Sequence, residues 1–119
     1  MKLDEAMYLI HQNGIGQNIE CFFVSKGADN KEYSSIVVNY KYQKGQIKIY
    51  LDRYQLKMHS QNLVKYPYFE FRIKEKNSSI LRLMCRSSLI EDKFIHASVL
   101  KVKYQNDDGE EIYHRIITN

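Results

Sequence analysis

The chain has little of what holds small loop-rich scaffolds together. One proline, five glycines and two cysteines stand in 119 residues, which argues against a turn-dense coil and against a disulfide framework. Cys21 and Cys85 lie far apart, form no C-x-x-C pair and each sit in an apolar, strand-like segment. Two buried free thiols are expected. No apolar run approaches the length of a signal sequence core or a membrane span, and Met1 leads directly into Lys2-Leu3-Asp4-Glu5. A cytoplasmic protein without a membrane segment is the expectation. His11, His59, His96 and His114 lack the paired spacing of metal ligands, so no metal site is expected. Ser34-Ser35, Ser78-Ser79 and Ser87-Ser88 have no nucleophile elbow, and Gly14-Ile15-Gly16 is too short for a dinucleotide fingerprint. The sequence assigns no catalytic residue.

What the chain does have is aromatic and aliphatic matter in strand-like order. Ten tyrosines and five phenylalanines, with 44% apolar and 27% charged residues, describe a chain that folds around a packed core. Its length suits one domain, residues 1–119. The formal charge is +4, and lysine and arginine are spread along the sequence with acids between them. Charge by itself names no partner.

Leu3, Met7 and Ile10 recur at helical spacing and Gly14 follows as a stop, which predicts a short N-terminal helix over 3–13. Ile19 to Ser25 and Ser34 to Tyr42 read as strands joined by a polar connection. Gln43-Lys44-Gly45 reads as a hairpin turn into a third strand, where Ile47, Ile49 and Leu51 alternate with Lys48 and Tyr50. Residues 53–65 abandon period two and place Leu56, His59 or Ser60, and Leu63 on one helical face before Pro67. This is a second short helix, with Asp52 as its cap and Gln55 placed to return the bond. Three further alternating segments follow, around Phe69-Phe71-Ile73, Leu81-Leu83-Cys85 and Leu100-Val102-Tyr104, with a last strand over Ile112 to Ile117. So many antiparallel strands in so short a chain are best closed into a mainly β barrel.

The run from Gln46 to Asp92 is the most informative. A strand with an aromatic end, Ile47-Lys48-Ile49-Tyr50-Leu51, leads through the basic stretch Arg53 to His59 to Asn62-Leu63, then Pro67 and an alternating strand. Leu81-Arg82-Leu83-Met84-Cys85-Arg86 follows and ends in the acidic turn Glu91-Asp92. In this order the chain resembles the pyridoxamine 5′-phosphate oxidase-like, FMN-binding split-barrel family. The resemblance implies a small antiparallel split β-barrel of six or seven strands, with an N-terminal helix and one short helix near residues 53–65. It also implies FMN as cofactor, flavin-based oxidoreductase chemistry and a homodimer that builds the cofactor site across its two-fold interface.

In that reading Arg53 and Lys57 meet the phosphate at the helix start, His59 and Asn62 reach the phosphate or ribityl chain, and Tyr50 lies against the rings. Asp52 competes with a phosphate for the same N–H groups. The chain also departs from the family: Asp29-Asn30-Lys31-Glu32 stands where Asp-Gly-x-Pro is usual, and Cys85 stands in place of a glycine. Two alternatives therefore stay open. One is a cofactor-free barrel that binds another protein. The other is a single-strand nucleic-acid binder in which Tyr40, Tyr42, Tyr50 and Tyr68 stack bases while Lys41, Lys48, Arg72 and Lys74 meet phosphates.

Overall fold

A computed structural model describes residues 19–43, 45–75, 80–105 and 111–115. The helix expected over 3–13 lies outside the described residues. Among the described residues eight strands and one helix follow in chain order: β1 (Ile19–Lys26), β2 (Glu32–Ile36), β3 (Asn39–Gln43), β4 (Gln46–Tyr50), α1 (Arg53–Lys65), β5 (Tyr68–Glu75), β6 (Ile80–Ile90), β7 (Phe94–Gln105) and β8 (Glu111–Arg115). All pairings are antiparallel. The strand order is β2-β1-β5-β6-β7-β4-β3, with β8 on β7.

The two ends of that order are neighbours in sequence, and this closes the barrel. The Val37 N–H donates to the Cys21 carbonyl at 2.9 Å, and the Val38 N–H to the Tyr50 carbonyl at 2.9 Å. The chain thus passes from bonding β1 to bonding β4 in two residues. The single strand expected over Ser34 to Tyr42 is in fact two, because inward-facing positions run Ser35, Val37 and then Tyr40, Tyr42. Alternation skips a beat at the corner. Counted as one bent wall, β2 and β3 make six walls, with β8 as a seventh, in keeping with the expected strand number.

A second skip lies between β6 and β7. Cys85 is opposite Val99 but Met84 is opposite Lys101, so Leu100 is an extra residue. Leu100 is 41% exposed for that reason, although its spacing with Val102 suggested a shared inward face. The strand also starts earlier than Leu100, at Phe94, since Ile95, Ala97 and Val99 all point inward and are buried. In the β3–β4 hairpin Gly45 takes φ 79°, the left-handed conformation that a tight hairpin asks of glycine.

The barrel interior is filled by Phe23, Phe69, Phe71, Ile47, Ile49, Leu83, Ile95 and Val102 among others. Phe23 and Phe69 stack at 4.2 Å between ring centroids, and Tyr40 tilts against Phe71 at 5.5 Å. Side chains of this size contribute about 1.5–3 kcal/mol each on burial. Both cysteines are buried free thiols, and burial pushes the Cys21 thiol up to about 12 and raises that of Cys85 as well. On the outer surface Glu70 is only 8% exposed, because Arg72 and Arg82 both close over its carboxylate and Arg72 also reaches Glu32.

Candidate functional site

The helix α1 is positioned by its ends. Asp52 has extended backbone (φ −54°, ψ 145°), and its Oδ1 accepts from the N–H groups of Tyr54 at 2.9 Å and Gln55 at 3.5 Å. This is the expected N-cap. At the other end Tyr66 turns extended (φ −126°) before Pro67 and donates its N–H to the Asn62 carbonyl, as the residue before a proline must leave the helix. Gln55 does not complete a capping box. Its side-chain oxygen is taken by the Ser35 hydroxyl of β2.

That bond is the outer end of a polar chain, buried at Ser25, Ser35 and His59, that joins α1 to the barrel. The Asn62 amide donates to Ser25 Oγ at 2.9 Å, Ser25 Oγ lies 2.5 Å from His59 Nδ1, and His59 Nε2 lies 2.8 Å from Ser35 Oγ. Because the Ser35 proton goes to Gln55, Ser35 must accept from His59 Nε2–H. Nδ1 then accepts from the Ser25 hydroxyl, which in turn accepts from Asn62. Every donor finds an acceptor with the histidine neutral and protonated at Nε2. His59 is fully buried, meets the Phe23 ring edge-on at 4.6 Å, and burial holds its pKa down at about 4. Among the described residues no carboxylate stands beside it to favour the charged form.

The opposite side of the helix start is open. A cleft of about 590 Å³ is lined by Arg53, Tyr54, Leu56, Lys57, Ser60, Ile90, Glu91 and Asp92. A second, of about 650 Å³, is lined by Val38, Tyr50, Leu51, Arg53, Asp92 and Lys93. Arg53 and Asp92 belong to both, so the two clefts adjoin. Among the described residues Arg53, Lys57 and Lys93 carry no ion pair. Unpaired cations beside apolar walls suit an anion that carries a flat apolar group.

The structure therefore divides the five residues that the sequence suggested for a cofactor. Tyr50, Arg53 and Lys57 come together on the clefts. His59 and Asn62 face the barrel and are engaged by Ser25 and Ser35. The signal for this was present, since His59 shares the helical face of Leu56 and Leu63, all three of which are buried. Val38, Ile90 and Asp92 line the clefts without having been singled out. Their placement depends on the barrel corner and on the β6–β7 turn, which no local pattern encodes.

Solved structures of the same shape exist. A protein related to general stress protein 26 of Bacillus subtilis, of the pyridoxinephosphate oxidase family and from Clostridium acetobutylicum, superposes with a TM-score of 0.67 at 12% identity over 96% of this chain and 94% of that one. The chain is a split barrel. A pyridoxamine 5′-phosphate oxidase-related, FMN binding protein from Nostoc punctiforme matches this split barrel at TM-score 0.61 and 10% identity, over 97% of this chain and 96% of that one. A NimC/NimA family protein from Clostridium acetobutylicum matches at 0.55 and 10%, over 82% and 85%. At such identities the likeness is one of fold. No protein-family model and no curated protein matches the sequence. Among the described residues no helix is long and apolar enough to cross a membrane, and no group of His, Cys, Asp or Glu is arranged to hold a metal.

Proposed function

We propose that this split barrel binds FMN in the paired clefts at the start of α1 and serves as a flavin-dependent oxidoreductase, working as a homodimer. The observation that carries the reading is the junction of the two clefts at Arg53 and Asp92, where Arg53, Lys57 and Lys93 outnumber the carboxylates Glu91 and Asp92 and adjoin the aromatic and aliphatic surface of Tyr50, Val38 and Leu51. The fit to a flavin phosphate runs through side chains. Asp52 already accepts from the Tyr54 and Gln55 N–H groups, so Arg53 and Lys57, rather than the helix amides, would hold the anion. Tyr50 offers ring surface on the other side of Arg53. His59 and Asn62 act at one remove, by fixing α1 to β1 and β2 through Ser25 and Ser35.

Bound FMN would supply hydride or electron transfer, and the chain would supply position, charge and exclusion of water. The test is a titration with FMN followed by its visible absorption and fluorescence, on the native chain and on Arg53→Ala with Lys57→Ala. Saturable binding that the double variant weakens supports the reading. A colourless protein that leaves FMN fluorescence unchanged overturns it and favours a cofactor-free interaction barrel, the reading to which the Asp52 cap lends weight. Sedimentation of the protein with and without FMN tests the dimer.

A further inference from the structure

Acidic residues are unevenly placed on this barrel. The segments of β3, β4, β6 and β7, residues 39–43, 46–50, 80–90 and 94–105, contain no aspartate or glutamate at all, whereas Glu20, Glu32, Glu70 and Glu75 fall on β1, β2 and β5 and Glu111 on β8. Arg82 of β6 is tied to Glu70 across the boundary. Lys41, Lys48 and Arg86 have no carboxylate partner among the described residues. Each lies instead against an aromatic ring: Lys48 is 4.5 Å from the centre of Phe94, Lys41 is 5.9 Å from that of Tyr50, and Arg86 is 5.6 Å from that of Tyr68.

Register orders these groups into bands across the outer face. Lys41, Lys48 and His96 are directly opposite one another on β3, β4 and β7. One row away along the strands, Tyr50 is opposite Phe94, with ring centroids 5.6 Å apart. One row away on the other side, Gln46, Ser98, Arg86 and Tyr68 follow from β4 to β5. Same-face rows are two residues apart, about 7 Å. A basic band thus runs between two bands that hold aromatic rings.

From this banding we infer that the outer face of β3, β4, β7 and β6 is a binding surface for single-stranded nucleic acid. Phosphates lie along the Lys41–Lys48 band, and bases stack on Phe94, Tyr50 and Tyr68 as the lysines leave the rings for the backbone. A polyanion without bases would use the lysines but leave the aromatic bands without a role. A duplex would keep its base faces hidden. The surface differs from the set that the sequence suggested: Tyr40 is buried, Tyr42 packs against the core and Arg72 is bound to Glu32 and Glu70, while Phe94 and Arg86 take their places. It meets the clefts at Tyr50 alone, since Phe94, Lys48, Arg86 and Tyr68 do not line them.

The test is fluorescence anisotropy of the full chain with a labelled oligothymidylate of about 12 nucleotides, within the range one small β-barrel covers, across about 50–200 mM salt. A duplex of equal length and heparin serve as competitors. Binding that weakens with salt and is displaced by single strands in preference to duplex or heparin is expected. Lys41→Gln with Lys48→Gln should flatten the salt dependence by a slope of about 1.4, roughly 0.7 for each phosphate contact. Phe94→Ala should weaken binding roughly 5- to 100-fold, and Phe94→Leu, which keeps apolar bulk and so protects the fold, should do nearly the same. Absence of salt-sensitive binding overturns the inference. So does equal displacement by heparin together with unchanged affinity in Phe94→Leu, which would mark an unspecific cationic face. Because Tyr50 is shared, the FMN reading is tested separately through Arg53→Ala with Lys57→Ala, which lie on the clefts and not on this face.

Discussion

The two faces of α1 carry similar numbers of polar side chains and use them in opposite ways. On the inner face Gln55, His59 and Asn62 bond to Ser25 and Ser35, with His59 and both serines buried. On the outer face Arg53 and Lys57 have no ion pair among the described residues. Residue type alone would call both faces functional, as histidine and asparagine are at least as common in sites as lysine. Satisfaction separates them: a buried group whose every bond is made holds structure, and an exposed charge left unpaired is open to a ligand.

The contrast predicts that the faces respond differently to substitution. His59→Ala should have the largest effect, since it leaves Ser25 and Ser35 without their shared partner and opens a cavity beneath α1. A loss of about 3 kcal/mol or more is expected in urea denaturation, and a loss below about 1 kcal/mol would mean that the polar chain does not fasten the helix. Next comes pH. His59 is depressed to about 4 when folded against about 6.5 unfolded, so the unfolded chain binds the extra proton in that window. Stability is therefore full above about pH 6.5 and falls as pH drops toward 4, by about 3 kcal/mol. The difference between the native chain and His59→Gln, followed over that range, isolates this contribution from those of the carboxylates.

Asp52→Ala lies between the faces. It should cost about 1 kcal/mol of stability while raising affinity for FMN or inorganic phosphate, because two N–H groups are freed and a competing charge is removed. A fall in affinity would put Asp52 among the ligand contacts instead. The smallest change in stability is expected for Arg53→Ala with Lys57→Ala, within about 0.5 kcal/mol, even as FMN binding weakens. Destabilisation well beyond that would blur the distinction between the faces.

Much of this architecture is legible in the sequence, and the parts that are not share a cause. Alternation gave β4, β5 and the start of β6, and Asp52 and Pro67 bounded α1, because each is a local pattern of burial or backbone restriction. The errors fall where the phase of alternation changes: the 34–42 segment that is two strands, and Leu100, which faces outward at a bulge. Such skips are imposed by strands distant in sequence. The candidate site was half legible for a related reason. A basic helix start is visible in Arg53 and Lys57, and His59 shares the face of Leu56 and Leu63, but what it bonds there is set by serines 34 and 24 residues away. Uneven acid placement is plain in the sequence and gains meaning only once strands β3, β4, β6 and β7 are known to share a wall.

The Val37–Val38 corner bears on how such a chain can vary. Loops between strands commonly accept an added or lost residue, since both flanking strands keep their own phase. Here the extra beat is what lets Ser35 and Val37 face inward on one side and Tyr40 and Tyr42 on the other. Removing Val38 takes away the residue whose N–H bonds the Tyr50 carbonyl; with the corner itself kept, every β3 residue moves up one position and both tyrosines turn to solvent. At this place chain length is constrained more tightly than side-chain chemistry, and homologous barrels should differ here by substitution far more readily than by insertion or deletion.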